Sequence, residues 1–379
     1  MANRNRPCVR RARPRRRPPA LGLALFLLAI AAPAQGDEPL TRLPAPPEPV
    51  LEYGARLFVR DTLSRIAAAG GDVWRHERSL DQARVFTRFE RGIVRLAVEV
   101  ELSGDDAELK DTAIQLAPNR YVELEAGRFK APMSMLWLES KWRLPPTERG
   151  ILSELRQDDR ALPFGGLRGD GIRLELRPRV ALDPRLTAAV VQNPASSAPA
   201  PLDPADDVTQ DAFARLEVEP TSFLRAAASF ALFGTTRQAG DIASYQHVPL
   251  GGLEARLATR HLRLWLEGFV GTSFFYQADG SSSGAFVAAR ALVAPRLRPR
   301  GGIERLEPFA GASVLDPTGD VSGDRVAEIV AGASLAFRDD WRLQLDVAHR
   351  AAEGSAAPLA DSTLIRLQLG ARFAGTVGR

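Results

Sequence analysis

In the run from Leu364 to Phe373, Ile365, Leu367, Leu369, Ala371 and Phe373 alternate with Arg366, Gln368, Gly370 and Arg372. A period of two belongs to a β-strand with one apolar and one wet face. The pattern recurs along the chain. Val94, Leu96, Val98, Val100 and Leu102 oppose Arg95, Glu99 and Glu101; Ile172, Leu174 and Leu176 oppose Arg173, Glu175 and Arg177. Leu262, Leu264 and Leu266 oppose Arg263 and Glu267, and Trp341, Leu343, Leu345 and Val347 oppose Arg342, Gln344 and Asp346. A dry interior lined by so many charges would carry a large desolvation cost, whereas a water-filled barrel with lipid outside avoids most of it. The expected fold is all-β, a membrane β-barrel.

Strands are predicted at 53–65, 80–90, 92–102, 107–117, 120–130, 170–180, 185–193, 211–219, 222–233, 250–260, 262–274, 284–295, 299–314, 324–337, 341–350 and 362–373, sixteen in all. The odd-numbered connections are long (66–79, 131–169, 194–210, 234–249, 275–283, 315–323 and 351–361), with only 103–106 brief. The even-numbered ones are short, such as Arg91, Pro118-Asn119, Asp183-Pro184 and Pro220-Thr221. Outer-membrane barrels have short periplasmic turns and longer outer loops, and this parity matches them. Closure then pairs the last strand with the one near Tyr53.

The fifth strand departs from the pattern. Val122, Leu124 and Ala126 set an outward phase that would leave Arg128 and Lys130 facing lipid, which predicts a bulge or strand end near Gly127.

The third outer loop, 131–169, is the longest connection and carries Met133, Met135, Leu136, Trp137, Leu138 and Trp142. So apolar a loop is predicted to fold into the barrel lumen and narrow it. From Arg128 to Arg168 the cations are Arg128, Lys130, Lys141, Arg143, Arg149, Arg156, Arg160 and Arg168, eight against five acids. A constriction lined by cations raises the local concentration of anions and favours their passage. Alternatively, these cations pair with neighbouring acids and only hold the loop. Arg95, Arg173, Arg177, Arg263, Arg342 and Arg366 would line the lumen wall.

Charge and composition supply the compartment. Eight arginines and no acid precede residue 35, followed by an apolar run from Ala20 to Ala32 and the small-residue site Ala32-Pro33-Ala34. This reads as a secretory signal peptide, 1–34. Its removal leaves 42 basic residues against 46 acidic ones, a formal charge of −4, where the whole chain has +4. The basic clusters that nucleic-acid binding requires belong to the signal, so that class is excluded. Cys8, the single cysteine, leaves with it, so neither disulfides nor thiolate metal sites are available. A proline-rich periplasmic lead-in at 35–50, a barrel at 51–373 and a tail at 374–379 complete the expected organisation.

The stretch Glu108 to Arg179 resembles the phosphate-selective porins, the porin O and porin P family. The likeness is carried by Leu109-Lys110-Asp111, Gly127-Arg128-Phe129-Lys130-Ala131-Pro132, Glu148-Arg149 and Arg168-Gly169-Asp170-Gly171. A looser likeness covers Leu306-Glu307-Pro308-Phe309, Leu315-Asp316-Pro317 and the closing strands to Phe373. The resemblance implies a sixteen-stranded porin, usually a homotrimer, whose third loop forms a constriction of arginines and lysines. Members known for phosphate carry several pore lysines; this chain has only Lys110, Lys130 and Lys141.

Other chemistry is sparse. Asp316, Asp320 and Asp324 lack the tight oxygen spacing of a calcium loop. His76 and His247 fall in predicted loops, His261 in a turn and His349 at a strand end, none matched with a serine, and Asp158-Asp159 is a weak carboxylate pair. The expectation is a non-enzymatic barrel of the bacterial outer membrane, without cofactor or metal, whose partners are lipid and small anions or other small hydrophilic solutes. The alternative is a non-conducting barrel for structure, adhesion or anchoring.

Overall fold

Alternation produces strands, and the strands close. The computed structural model describes residues 48–67, 71–103, 107–157, 160–162, 164–194, 208–239, 242–273, 284–299, 301–319, 321–338, 340–354 and 359–378. The predicted signal peptide and most of the lead-in lie outside them. The barrel strands are β1 (Val50–Ile66), β2 (Val73–Arg91), β3 (Val94–Glu101), β4 (Glu108–Asn119), β5 (Val122–Lys130), β6 (Arg168–Leu176), β7 (Arg185–Pro194) and β8 (Val208–Thr221). They continue as β9 (Leu224–Ala239), β10 (Ile242–Ala258), β11 (Leu262–Thr272), β12 (Ala285–Pro295), β13 (Arg305–Asp316), β14 (Val326–Phe337), β15 (Trp341–Ala352) and β16 (Ser362–Val377). Each pairs antiparallel with its chain neighbours, and β1 also pairs with β16 from Leu51↔Val377 to Ile66↔Ser362. No barrel strand is left with an open edge.

The two faces are inverted relative to a soluble protein. Outward positions are apolar and exposed, as at Leu253 (71 %), Ile172 (58 %) and Leu345 (49 %). Inward positions one residue away are charged and buried, as at Arg263 (2 %), Glu267 (4 %) and Asp346 (0 %). This is the alternation of a membrane barrel.

Sixteen predicted strands match sixteen observed ones, but the ends differ. β2 begins at Val73 and β10 at Ile242, so much of the predicted loops 66–79 and 234–249 is strand, and His76 and His247 lie in sheet. Polar residues on both faces suit a ladder that continues into water, which period-two hydrophobicity cannot register. Even-numbered connections are not uniformly short, since 177–184 and 296–304 are longer than several odd ones. The predicted tail is corrected too: residues 374–377 extend β16, because β1 supplies main-chain partners as far as Leu51.

The bulge expected near Gly127 is absent. Pairing of β5 with β6 runs in register from Val122↔Leu176 to Lys130↔Arg168. Gly127 instead takes φ +128°, where a Cβ would lie 2.2 Å from the Thr112 carbonyl oxygen. Only glycine fits that approach. The register shifts fall elsewhere, leaving Asp81 in β2 and Lys110 in β4 as extra residues opposite β1 and β3.

Candidate functional site

The segment from Ala131 to Leu167 is held by inward-facing side chains of one arc of the barrel. Its short helix α1 (Met135–Leu138) starts at Ser134, whose hydroxyl accepts from Trp137 N–H at 2.9 Å. Helix N-termini leave N–H groups without partners. Here the wall supplies them: Glu254 on β10 accepts from Met135 N at 2.6 Å, and Glu267 on β11 from Leu136 N at 2.7 Å. Arg290 on β12 donates to Glu267 and Ser134 at 2.5 Å and to the Arg149 carbonyl at 3.0 Å.

Farther along, Arg263 donates to the Arg143 carbonyl at 2.6 Å, and Arg342 to the Trp142 carbonyl. Gln344 donates to the carbonyls of Pro145 and Pro146 at 2.8 and 3.0 Å. Prolines have no N–H to help satisfy this stretch, so the wall meets its acceptors. Asp346 accepts from Thr147 N at 2.8 Å and Thr147 Oγ1 at 2.7 Å, and Arg366 holds its other oxygen at 2.6 Å. Beneath the segment an apolar cluster includes Phe129, Met133, Ile151, Leu152, Phe164, Phe269 and Phe286, with Phe164 stacked on Phe269 at 4.8 Å.

The opposite arc also reaches the segment, through Arg56 to Ser140 at 3.1 Å and Asp81 to Lys141 at 2.5 Å, and leaves space beside it. A cavity of about 410 Å³ lies between the segment and β1–β6. Arg56, Arg84, Arg88, Lys130, Lys141, Arg149, Arg168 and Arg173 line it, eight cations against the three carboxylates of Glu99, Asp111 and Glu125. Three cations gather on the face of Trp137: Arg149 at 4.8 Å, Lys130 at 5.1 Å and Arg168 at 5.6 Å from the ring centre. Such stacking keeps cations together without neutralising them. Arg168 also meets Asp111 at 2.9 Å, whereas Lys130 donates to the Trp137 carbonyl at 3.1 Å and Arg149 to that of Glu139 at 2.8 Å.

A second cavity, about 440 Å³, shares Arg56, Arg88, Glu99 and Asp111 with the first and adds Arg143 and Arg372. A third, about 350 Å³, lies at the turns after β2 and β4 and is lined by Arg95 and Arg177.

The predicted site residues thus divide. Lys130, Lys141, Arg149, Arg168 and Arg173 share the main cavity, and Arg143, Arg95 and Arg177 line the other two. Arg128 does not join them; it stays in the outward phase, 3.6 Å from Asp170. Arg263, Arg342 and Arg366 are 1–4 % exposed and do not line open space. They are bonded to the segment or to Asp346, because backbone carbonyls packed against a wall need donors more than a pore needs charge there. The side chains of Arg156 and Arg160 fall outside the described residues, as do Asp158, Asp159 and Asp320; their backbones place 156–157 and 160–161 in a small antiparallel pair.

Sequence reasoning missed Arg56, Arg84 and Arg88. All three stand on the polar phase of β1 and β2, a signal available from alternation alone. It also missed Asp81, which meets Lys141 at 2.5 Å and Arg60 at 2.9 Å. Glu148 completes this cluster 3.2 Å from Lys141. Burial alone would raise the Glu148 carboxyl, but Lys141 and Arg60 hold it well below the usual carboxylate range.

No family model and no curated protein matches the chain. Solved structures do. An anion-selective porin from Comamonas acidovorans is similar over 86 % of this chain and 100 % of its own, with TM-score 0.57 and 16 % identity. The outer membrane channel DcaP of Acinetobacter baumannii is similar over 86 % of this chain and 97 % of its own, with TM-score 0.59 and 10 % identity. OmpT of Vibrio cholerae, folded in vitro in a trimer form, is similar over 86 % and 99 %, with TM-score 0.55 and 8 % identity. At these identities the likeness is one of fold: a sixteen-stranded antiparallel barrel of the outer-membrane porin type.

Proposed function

We propose that the chain is a porin of the bacterial outer membrane that passes small hydrophilic solutes by diffusion and prefers anions. The observation that carries this reading is the main cavity, with eight cations to three carboxylates. Segment 131–167 lies within the lumen, fastened to β10–β15, and confines passage to the arc of β1–β6. Fixed positive charge along that path lowers the entry barrier for anions. Phosphate falls within the chemistry, since guanidinium groups bind it through two parallel hydrogen bonds. The anion-selective porin among the similar folds supports the reading, and the trimeric one supports assembly as a homotrimer. Export would remove residues 1–34 as a signal peptide.

Planar-bilayer recording of the detergent-folded protein tests it. Discrete conductance steps are expected, and a well-folded barrel that gives none contradicts the porin reading.

The apolar cluster around Phe164, Phe269 and Phe286 favours a second reading, a sealed barrel serving structure, adhesion or anchoring. The same recording separates the two.

A further inference from the structure

We infer that the outer wall of β10–β14 holds one anionic phospholipid, its phosphate at Arg260 and Arg298 and an acyl chain in an apolar groove above them. The groove measures about 730 Å³. Its floor is Gly268, Ala289, Ala291 and Ala312, and Leu253 and Ile329, 71 % and 62 % exposed, stand at its sides. A glycine inside a strand marks a bulge, a tight bend or close approach by another group. β11 pairs in register on both sides of Gly268, with Leu253 and with Ala289, so no bulge lies there. A Cβ on Gly268 would meet no atom within 4 Å, so no neighbouring strand requires the space.

The cations stand at the even-numbered connections of the same strands, the periplasmic end. Arg260 in the turn 259–261 before β11 and Arg298 in the connection 296–304 after β12 are exposed, and neither has an ion pair among the described residues. From 296 to 305 the chain carries Arg296, Arg298, Arg300 and Arg305 against one acid, Glu304. Glu307 already meets Arg263, Arg296 and Arg305 at 2.9–3.2 Å. Leu297, 49 % exposed between Arg296 and Arg298, adds the apolar surface that suits a headgroup boundary. From Leu262 to Gly268 a strand covers about 20 Å at about 3.4 Å per residue, or about 15 Å of depth at a barrel tilt of about 40°. That is half of a hydrocarbon core roughly 30 Å thick, the depth an acyl chain reaches from its own headgroup. A soluble anionic polymer would account for the arginines without the groove, and a second copy of the chain for the groove without the arginines.

Native mass spectrometry of the detergent-folded barrel reads retained lipid directly. The probes are phosphatidylglycerol and phosphatidylethanolamine with the same acyl chains. One phosphatidylglycerol per chain is expected, held about twentyfold more tightly than phosphatidylethanolamine, with about fivefold from each arginine beside the anionic headgroup. Arg260→Gln combined with Arg298→Gln should abolish that preference. Gly268→Leu, which fills the groove from a position with free space, should cost both lipids their retention while the heat-stable barrel still forms. Equal retention of the two lipids by the parent protein, a preference that survives the double substitution, or retention unchanged by Gly268→Leu overturns the inference. A lipid-free dimer that Gly268→Leu dissociates overturns it as well, by assigning the groove to a second copy.

Discussion

Asp81 on β2 and Lys141 on the inner segment meet at 2.5 Å because Asp81 is the extra residue of a bulge opposite Phe58 and Val59. The bulge puts Asp81 and Gln82 inward in succession while Leu80 stays exposed on the outer face. Bulges commonly re-aim a side chain in this way. The contact ties the β1–β2 side to the segment, together with Arg56 on Ser140 at 3.1 Å and Arg60 on Glu148.

Asp81→Asn removes a carboxylate shared by Lys141 and Arg60. Glu148 remains near both, so the loss should be about 1–2 kcal/mol, read by chemical denaturation in detergent. The anion preference should rise, since a negative charge has gone while the cations stay. A fall in preference would contradict a role for the Lys141 charge in attracting the passing anion.

Asp346 is the hub of the opposite arc, accepting from Thr147 twice and from Arg366 once. Asp346→Asn should cost about 3–5 kcal/mol, because it leaves the Arg366 guanidinium buried without its counter-charge. Limited proteolysis of the folded barrel should then cut within 131–167 where the parent protein resists. Unchanged resistance would show that the segment is held by packing alone.

The wall arginines and the cavity cations should separate in their effects. Arg263→Gln and Arg342→Gln should lower stability by about 1–3 kcal/mol while leaving ion selectivity nearly unchanged. Lys130→Gln and Arg149→Gln should lower ion selectivity as well, because these two donate to segment carbonyls and also line the cavity. Equal effects on selectivity would mean that Arg263 and Arg342 face the passage after all.

The strands were legible because apolar and charged residues alternate with few breaks in the membrane-crossing portions, and Leu345 beside Asp346 is typical. Their extensions were not: around His76, Glu77 and Arg78 both faces are polar, so the alternation fades although the backbone stays paired. The bulges left a usable trace. Leu80 and Val85 are both exposed apolar residues five positions apart, an odd separation that strict alternation forbids, and Leu109 and Ile114 repeat it. For the site, the sequence supplied the cations but not their division. Whether an arginine is enclosed on a carbonyl, as Arg342 is, or lines the cavity as well as meeting a carbonyl, as Arg149 does, depends on which arc the segment lies against.

Gly127 offers a check on the local geometry. Gly127→Ala places a Cβ 2.2 Å from the Thr112 carbonyl at φ +128°. Backbone strain of about 1–3 kcal/mol is expected, with displacement of Lys130 and Arg168 beyond it. Heat-stable barrel yield and anion preference should both fall; preserved yield with unchanged preference would contradict the close approach.

The central claim, that an excess of cations along the arc of β1–β6 selects the passing ion, is tested most directly by the reversal potential across a KCl gradient. The account predicts chloride more permeant than potassium in the parent channel, with the ratio falling toward unity in the Lys130→Gln, Arg149→Gln double variant. Potassium more permeant than chloride in the parent channel would contradict it.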